Sequence, residues 1–108
     1  MYEPKYIMIF ITAANTDEAH EISLALVEEK FVACANTVGA ISSTYWWDGQ
    51  IENADEQLIV CKTLASHLDA VVAWVKSMHS YEVPEIIALP IIGGNPDYLK
   101  WIEESVRP

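Results

Sequence analysis

The chain has 108 residues, 52% hydrophobic and 20% charged, which is enough for one domain and too apolar for a disordered chain. Its formal net charge of −10 would repel phosphate backbones and anionic lipids, so neither nucleic acid nor membrane is expected as a partner. The two cysteines form no CxxC motif, and the apolar run near the N-terminus is too short for a signal peptide or a membrane span. We therefore expect one cytosolic domain over residues 1–108.

A strand and a helix are predicted first. The run from Tyr6 to Thr12 is continuously apolar and rich in β-branched and aromatic residues, as is typical of a central strand. Asn15 predicts a helix N-cap, and Glu18 three residues later completes a capping box. The helix then has an apolar stripe at helical spacing, made of Ala19, Ile22, Ala25 and Leu26.

A long β-hairpin is the most informative feature of the sequence. Asp48-Gly49 is a strong signal for a two-residue type I′ turn, which needs a positive φ at both central positions. If extended, residues 31–47 would span roughly 55 Å, whereas a domain of this size is only about 30–35 Å across. The hairpin must therefore bend or reach beyond its own subunit. Three aromatic residues at its tip, 45–47, favour an oligomer interface.

The predicted turn also sets the pairing of the two hairpin arms, with 47 opposite 50, 46 opposite 51 and 45 opposite 52. Continued without change, this register places Ile41 opposite Glu56, an unfavourable pairing of an apolar and a charged side chain. A bulge or register change near Val38-Gly39 would correct it, because glycine is common at such irregularities.

Two helices and a short strand are predicted in the second half of the chain. Ser66 and Asp69 have the spacing of a second capping box, before an apolar stripe of Leu68, Val71, Val72, Val75 and Met78. Pro84 and Pro90 are predicted to bracket a strand over residues 85–89.

Asn95-Pro96 predicts the cap and first turn of a last helix. The order β-α-β-β-α-β plus a terminal helix predicts an α+β fold, the ferredoxin-like sandwich of one sheet with helices on one face.

The densest polar cluster is predicted at the exit of the second helix. His79, Tyr81, Glu82 and Glu85 lie within seven residues, and imidazole with carboxylate suits copper, zinc or nickel. Glu82 could equally set the tautomer of His79. The alternative is structural: the helix dipole favours His79 near a C-terminus, and the glutamates only guide the chain into an edge strand.

Cys34 and Lys62 form a second candidate pair. Cys34 lies between two alanines, which is typical of an inert thiol, and a functional thiolate there would need a basic neighbour such as Lys62. Alternatively, Lys62 extends to solvent or forms a salt bridge. The sequence has no GxGxxG, P-loop, GxSxG or HExxH motif and no recognisable nucleophile–base pair, so no enzyme is expected. An enzyme that uses Lys62, Tyr81 and Glu82 is the last of the alternatives.

At these residues the sequence resembles the CutA family of divalent-cation tolerance proteins. The matching segments cover nearly the whole chain: Glu18-Ala19, Ala33-Cys34-Ala35-Asn36, TYWWDGQIE at 44–52, Lys62-Thr63, His79 with YEVPEIIALPI, Tyr98-Leu99 and Trp101-Ile102. The resemblance implies a ferredoxin-like homotrimer, similar to the PII signalling proteins, in which the long hairpins reach across to neighbouring subunits.

The resemblance also implies a site. Family members are linked to tolerance of copper and other divalent cations. Their candidate site is an inter-subunit cleft, carried over here onto Cys34, Trp47, Lys62, His79, Tyr81, Glu82 and Glu85.

This chain departs from the family at three positions. Ser80 stands where proline is usual, and Ile11 and Met78 stand where some bacterial members have a cysteine and a second histidine. A copper site of that kind would keep only His79, with the Met78 thioether as an imperfect substitute.

The sequence therefore predicts a cytoplasmic homotrimer of divalent-metal homeostasis that binds a metal ion, foremost copper, or a small ligand, with His79 as the metal ligand. The alternative is a PII-like signalling or scaffold trimer whose inter-subunit cleft accepts a metabolite or a partner protein.

Overall fold

The computed structural model describes residues 3–108 and contains four strands and three helices in that range. Their bounds are β1 Tyr6–Ala13, α1 Thr16–Glu28, β2 Cys34–Trp47, β3 Gln50–Leu64, α2 Leu68–Met78, β4 Ile86–Ile91 and α3 Pro96–Ser105. None of these helices is long and apolar enough to cross a membrane.

The four strands form one antiparallel sheet in the order β2-β3-β1-β4. Together with the βαββαβ chain order, this arrangement confirms the predicted ferredoxin-like fold. Because side chains alternate along a strand, Ile7, Ile9 and Ile11 point to one face of the sheet, where they pack with Ile59 and Cys61 against α1 and α2. The main core therefore lies between the sheet and these two helices.

The third helix lies on the other face. Ile102 and Val106 form a second, smaller core at one end of the sheet, against Tyr6 and Leu64. These two strand residues alternate with the core-facing positions of β1 and β3, so their side chains point away from α1 and α2. The predicted sandwich with helices on one face is therefore confirmed for α1 and α2, and the additional terminal helix packs on the opposite face.

The turn of the hairpin has the predicted conformation. Asp48 and Gly49 have φ angles of 51° and 76°, as a type I′ turn requires. From there the pairing runs as predicted, with Trp47 opposite Gln50 and Ile41 opposite Glu56.

The register then shifts by one residue between Val38 and Ile41, since Val38 pairs with Leu58. The extra residue confirms the position of the bulge predicted near Gly39, but the bulge lies beyond Ile41 and leaves Ile41 opposite Glu56, so its predicted correction of that pairing was wrong.

The distal half of the hairpin extends beyond the sheet. β1 pairs with β3 only from Gln57 onwards, so residues 41–56 form a separate two-stranded ribbon, which we call the ribbon. The bulge lies where the ribbon begins. The described residues measure 44 × 32 × 23 Å, and the 14-residue β2, roughly 46 Å if straight, matches the longest of these dimensions.

The predicted boundaries of two elements were wrong. Ser66 does not cap α2, because residues Ala65–His67 form a short 3-10 turn and the helix begins at Leu68 without a side-chain cap. Pro90 does not end β4, which runs to Ile91, and Glu85 lies outside it. Proline is tolerated there because β4 is an edge strand, paired with β1 alone within the described sheet.

Candidate functional site

A cavity of about 600 Å³ lies between the ribbon and the segment that links α2 to β4. The ribbon contributes the side chains that lie on one of its faces, and the linking segment contributes an aromatic ring and two carboxylates. The main lining residues are Tyr45, Trp47, Glu56, Tyr81, Glu82 and Glu85. The structure therefore brings together four of the residues predicted for the site, Trp47, Tyr81, Glu82 and Glu85.

Glu56 is the functional candidate that sequence reasoning missed. The residue is only 7% exposed, and its Oε2 accepts a hydrogen bond of 2.8 Å from the hydroxyl of Tyr81. Burial, and then this bond to a carboxylate, raise the pKa of Tyr81 to about 12, so the phenol stays protonated and donates. The one signal in the sequence was the unfavourable pairing of Glu56 with Ile41, which indicated that this charge has a partner elsewhere.

His79 lies behind the cavity with both ring nitrogens in use. Its Nε2 is 2.7 Å from the carbonyl oxygen of Thr12, and its Nδ1 accepts the backbone N–H of Tyr81 at 3.0 Å. This pattern fits the neutral tautomer that carries its proton on Nε2. The tautomer is therefore held by backbone groups, and the predicted role of Glu82 in setting it was wrong.

The side chain of Glu18 links the start of α1 to the segment that follows His79 through hydrogen bonds. The Asn15 side chain caps the helix as predicted, accepting the N–H of Glu18 at 2.8 Å. The carboxylate of Glu18 accepts the N–H of Ala14 at 2.9 Å, in place of the Asn15 N–H of a standard capping box, and that of Ser80 at 2.8 Å. Burial opposes ionisation of this carboxyl, but the hydrogen bonds outweigh it and lower its pKa.

The predicted proximity of Cys34 and Lys62 is confirmed, because they are direct cross-strand partners. Lys62 donates to the side-chain oxygen of Asn36, and Cys34 Sγ lies 3.6 Å from the hydroxyl of Tyr98. The bond to Cys34, and then burial, raise the pKa of Tyr98.

These residues form a cluster apart from the cavity. Lys62 is six residues from Glu56 along β3, roughly 20 Å, so a single chain does not bring Cys34 and Lys62 into the same site as Tyr81 and Glu82. The seven predicted residues therefore belong to two groups, and their union in a cleft between subunits stays a prediction.

A metal site is not assembled by one chain in the described range. Residues 3–108 contain no group of three His, Cys, Asp or Glu side chains placed to hold a metal ion. Ile11 is fully buried in the core, and Met78 packs against that core. His79 could coordinate a metal ion only by releasing one of its two hydrogen bonds, and its role as a ligand stays a prediction.

The sheet order, the long ribbon and the helices packed on the sheet define the chain as a ferredoxin-like α+β protein with an extended hairpin. Within that class, the chain belongs to the CutA1 divalent ion tolerance protein family, whose sequence profile matches residues 7–105.

Three known proteins illustrate the similarity. The chain is 43% identical over 101 residues to the chloroplastic protein CutA 1 of Oryza sativa, covering 94% of this chain and 57% of the rice protein. It is 34% identical over 104 residues to the divalent-cation tolerance protein CutA of Salmonella newport, covering 96% and 90%. The crystal structure of CutA1 from Shewanella sp. SIB1 superposes with a TM-score of 0.96 at 40% identity, covering 99% and 100%. The chain spans little more than half the length of the rice relative.

Proposed function

We propose that this chain forms a homotrimer that serves divalent-cation tolerance by binding, without catalysing a reaction, and that the cavity is where it binds. The observation that carries this proposal is the cavity itself, which Glu82 and Glu85 line together with the largely buried Glu56. The family is named for divalent-ion tolerance, and carboxylates are ligands for such ions. Copper is the metal we propose first, and the cytoplasm the compartment.

The uncovered face of the sheet supports the trimer. Ile87 and Leu89 are 51% and 37% exposed, and both lie on the face that α1 and α2 do not cover, next to Phe10 and Met8 on β1. A continuous apolar face of this kind is typical of a surface buried in an oligomer.

The same face supports a shared binding site. Glu56 and Lys62 occupy positions of β3 that alternate with the core-facing Ile59 and Cys61. Their side chains therefore point to the uncovered side of the sheet. A second copy packed on this face would border the cavity. We propose that such a neighbour contributes its Cys34 and Lys62 to the cleft, together with any further metal ligand.

Titration with Cu(II) by isothermal calorimetry tests the metal proposal. We expect wild type to bind copper and His79→Ala to bind at least about tenfold more weakly, since one imidazole ligand is lost. His20→Ala is the matched control, because His20 is exposed on α1 away from the cavity. Identical isotherms for wild type and His79→Ala, both folded by circular dichroism, would exclude His79 as a ligand.

The second candidate function is a PII-like trimer that binds a metabolite or a partner protein in its inter-subunit cleft. The size of the cavity favours it, because about 600 Å³ lies within the range of sites for small organic molecules. A thermal-shift screen of metabolites in the presence of a chelator tests it, since a ligand of the native state raises the melting temperature. Stabilisation by a metabolite without metal would favour this function, and a response to metal ions alone would favour the first.

A further inference from the structure

We propose that the cavity between the ribbon and the α2–β4 segment binds an organic ammonium ion, held by the carboxylate of Glu56 and the rings of Tyr45, Trp47 and Tyr81. The inference rests on the proposed binding role of this cavity and names the chemical class of its ligand. It depends on three features of the site: a largely buried carboxylate, an aromatic wall, and a lining whose three glutamates outnumber the single Lys62 that a neighbour is proposed to contribute.

The buried charge is that of Glu56. The residue is only 7% exposed, and Tyr81 donates to one of its two oxygens, Oε2. No described residue donates a hydrogen bond to Oε1, and no Lys, Arg or His in the described range lies within salt-bridge distance of the carboxylate. Oε1 is not among the buried unpartnered atoms of the described residues, so it is open to the cavity and can accept a positive ligand there.

The aromatic wall supplies the rest of the recognition. Tyr45 and Trp47 are two residues apart on β2, so their rings lie on the same face of the ribbon, and they are 41% and 55% exposed. Tyr81 faces them from the linking segment and lies tilted against the His79 ring, 4.8 Å between centroids. Rings arranged around a cavity attract cations through their π faces, and quaternary ammonium groups are bound in this way.

The lining that one chain supplies favours a cation over an anion, and an organic cation can bind there without the further ligands that a metal ion would need from a neighbour. The residues that line the cavity include three glutamates and no Lys, Arg or His in the part of the chain that the structure describes, so an anion would be repelled. A metal ion needs several closely placed ligands, which the described residues of one chain do not supply. An ammonium ion needs only one carboxylate and apolar walls that exclude water.

Tetramethylammonium is a suitable probe, with tert-butanol as an uncharged molecule of similar shape and sodium chloride as the ionic-strength control. Binding is measured on the full chain in EDTA by saturation-transfer NMR of the probe's methyl signal and by calorimetry. We expect tetramethylammonium to bind at millimolar or lower concentration and tert-butanol at least about tenfold more weakly, because only the first carries the charge. Equal binding of the two probes, or no binding of tetramethylammonium, would overturn the proposal.

Two pairs of variants locate the site. Glu56→Gln should weaken tetramethylammonium binding about tenfold, whereas Asp55→Asn should leave it unchanged. Asp55 is the neighbouring acid, exposed and on the opposite face of β3, so the two variants change net charge equally.

Trp47→Phe should retain most of the affinity and Trp47→Leu should lose it, since leucine keeps the apolar bulk without a π face. Light scattering confirms that each variant keeps the wild-type mass. Equal effects of Glu56→Gln and Asp55→Asn, or of the two Trp47 variants, would contradict the assigned site.

The two proposals fail independently. Copper binding that depends on His79, without any response to tetramethylammonium, would reject the ammonium site and leave the metal function standing. Tetramethylammonium binding in EDTA that depends on Glu56, without copper binding, would reject the metal function alone.

Discussion

At the scale of single residues, the segment around His79 is held by a few specific hydrogen bonds. Glu18 receives N–H groups from Ala14 and Ser80, and His79 is fixed between Thr12 and Tyr81. A proline at position 80 would have no N–H to donate to Glu18, so it would remove the bond that links this segment to the start of α1.

Replacing Glu18 by glutamine should destabilise the protein by about 1–3 kcal/mol at pH 7, because hydrogen bonds to a charged carboxylate become bonds to a neutral amide. The folded-state pKa of Glu18 lies below its ordinary value of 4.5. The stabilisation is therefore fully present above that ordinary value and is lost as the pH falls through the folded-state pKa.

Urea denaturation at pH 7 and at about pH 3 measures the difference between wild type and variant, which should shrink at the lower pH. Glu21→Gln, on the exposed side of α1, is the control and should have no effect at either pH. A Glu18→Gln difference that is equal at both pH values would show that the ionised carboxylate is not responsible.

At the scale of secondary-structure elements, the hairpin depends on a two-residue turn and a one-residue bulge. Both were predicted from the sequence. Asp48-Gly49 suits the positive φ angles of a type I′ turn, and the register that follows from this turn places Ile41 opposite a charged residue, which suggested an irregularity nearby. The start of α2 was not predicted correctly from the sequence. Ser66 has the spacing of a cap, but a 3-10 turn that buries His67 determines where the helix begins.

Gly49→Ala should destabilise the protein by about 1 kcal/mol, because a Cβ is unfavourable at a φ of 76° even with open space around it. Gly93→Ala is the matched control. Gly93 also has open space and no positive φ, so alanine there should be neutral or slightly stabilising. Denaturation of both variants at one protein concentration measures the two effects, and equal effects would show that the turn conformation is not the cause.

At the scale of the whole molecule, the described chain leaves much apolar surface exposed. Trp46 at the hairpin tip is 72% exposed, and Ile87 in the uncovered face of the sheet is 51% exposed. Both surfaces lie outside the two hydrophobic cores, so burying them requires a second chain. The trimer is the assembly that we propose for them.

Light scattering of the wild type should give about 36 kDa, three times the 12.1 kDa of one chain. Ile87→Asp should shift the protein toward the monomer, because it places a charge in the proposed interface. Val27→Asp is the control, since Val27 is 39% exposed on α1, on the other side of the sheet. A wild-type mass of 12.1 kDa at micromolar concentration would reject the trimer, and equal masses for the two variants would reject this face as its interface.

The sequence by itself determined the order of the elements, the turn at Asp48-Gly49, the register of the ribbon and the caps at Asn15 and Asn95. These features depend on backbone sterics, side-chain periodicity and hydrogen bonds between near neighbours, or follow from a register that the turn sets. These features can therefore be predicted from one sequence without knowledge of the tertiary structure.

Only the tertiary structure decided which distant side chains meet. Tyr81 reaches Glu56 across 25 residues, and Ser80 reaches Glu18 across 62. Such contacts depend on how α2 and the ribbon pack on the sheet, which no local pattern encodes. The same packing gives both ring nitrogens of His79 a hydrogen-bond partner and keeps Cys34 and Lys62 apart from the cavity. The long hairpin was therefore predictable from the sequence, and the contacts of the side chains beside it were not.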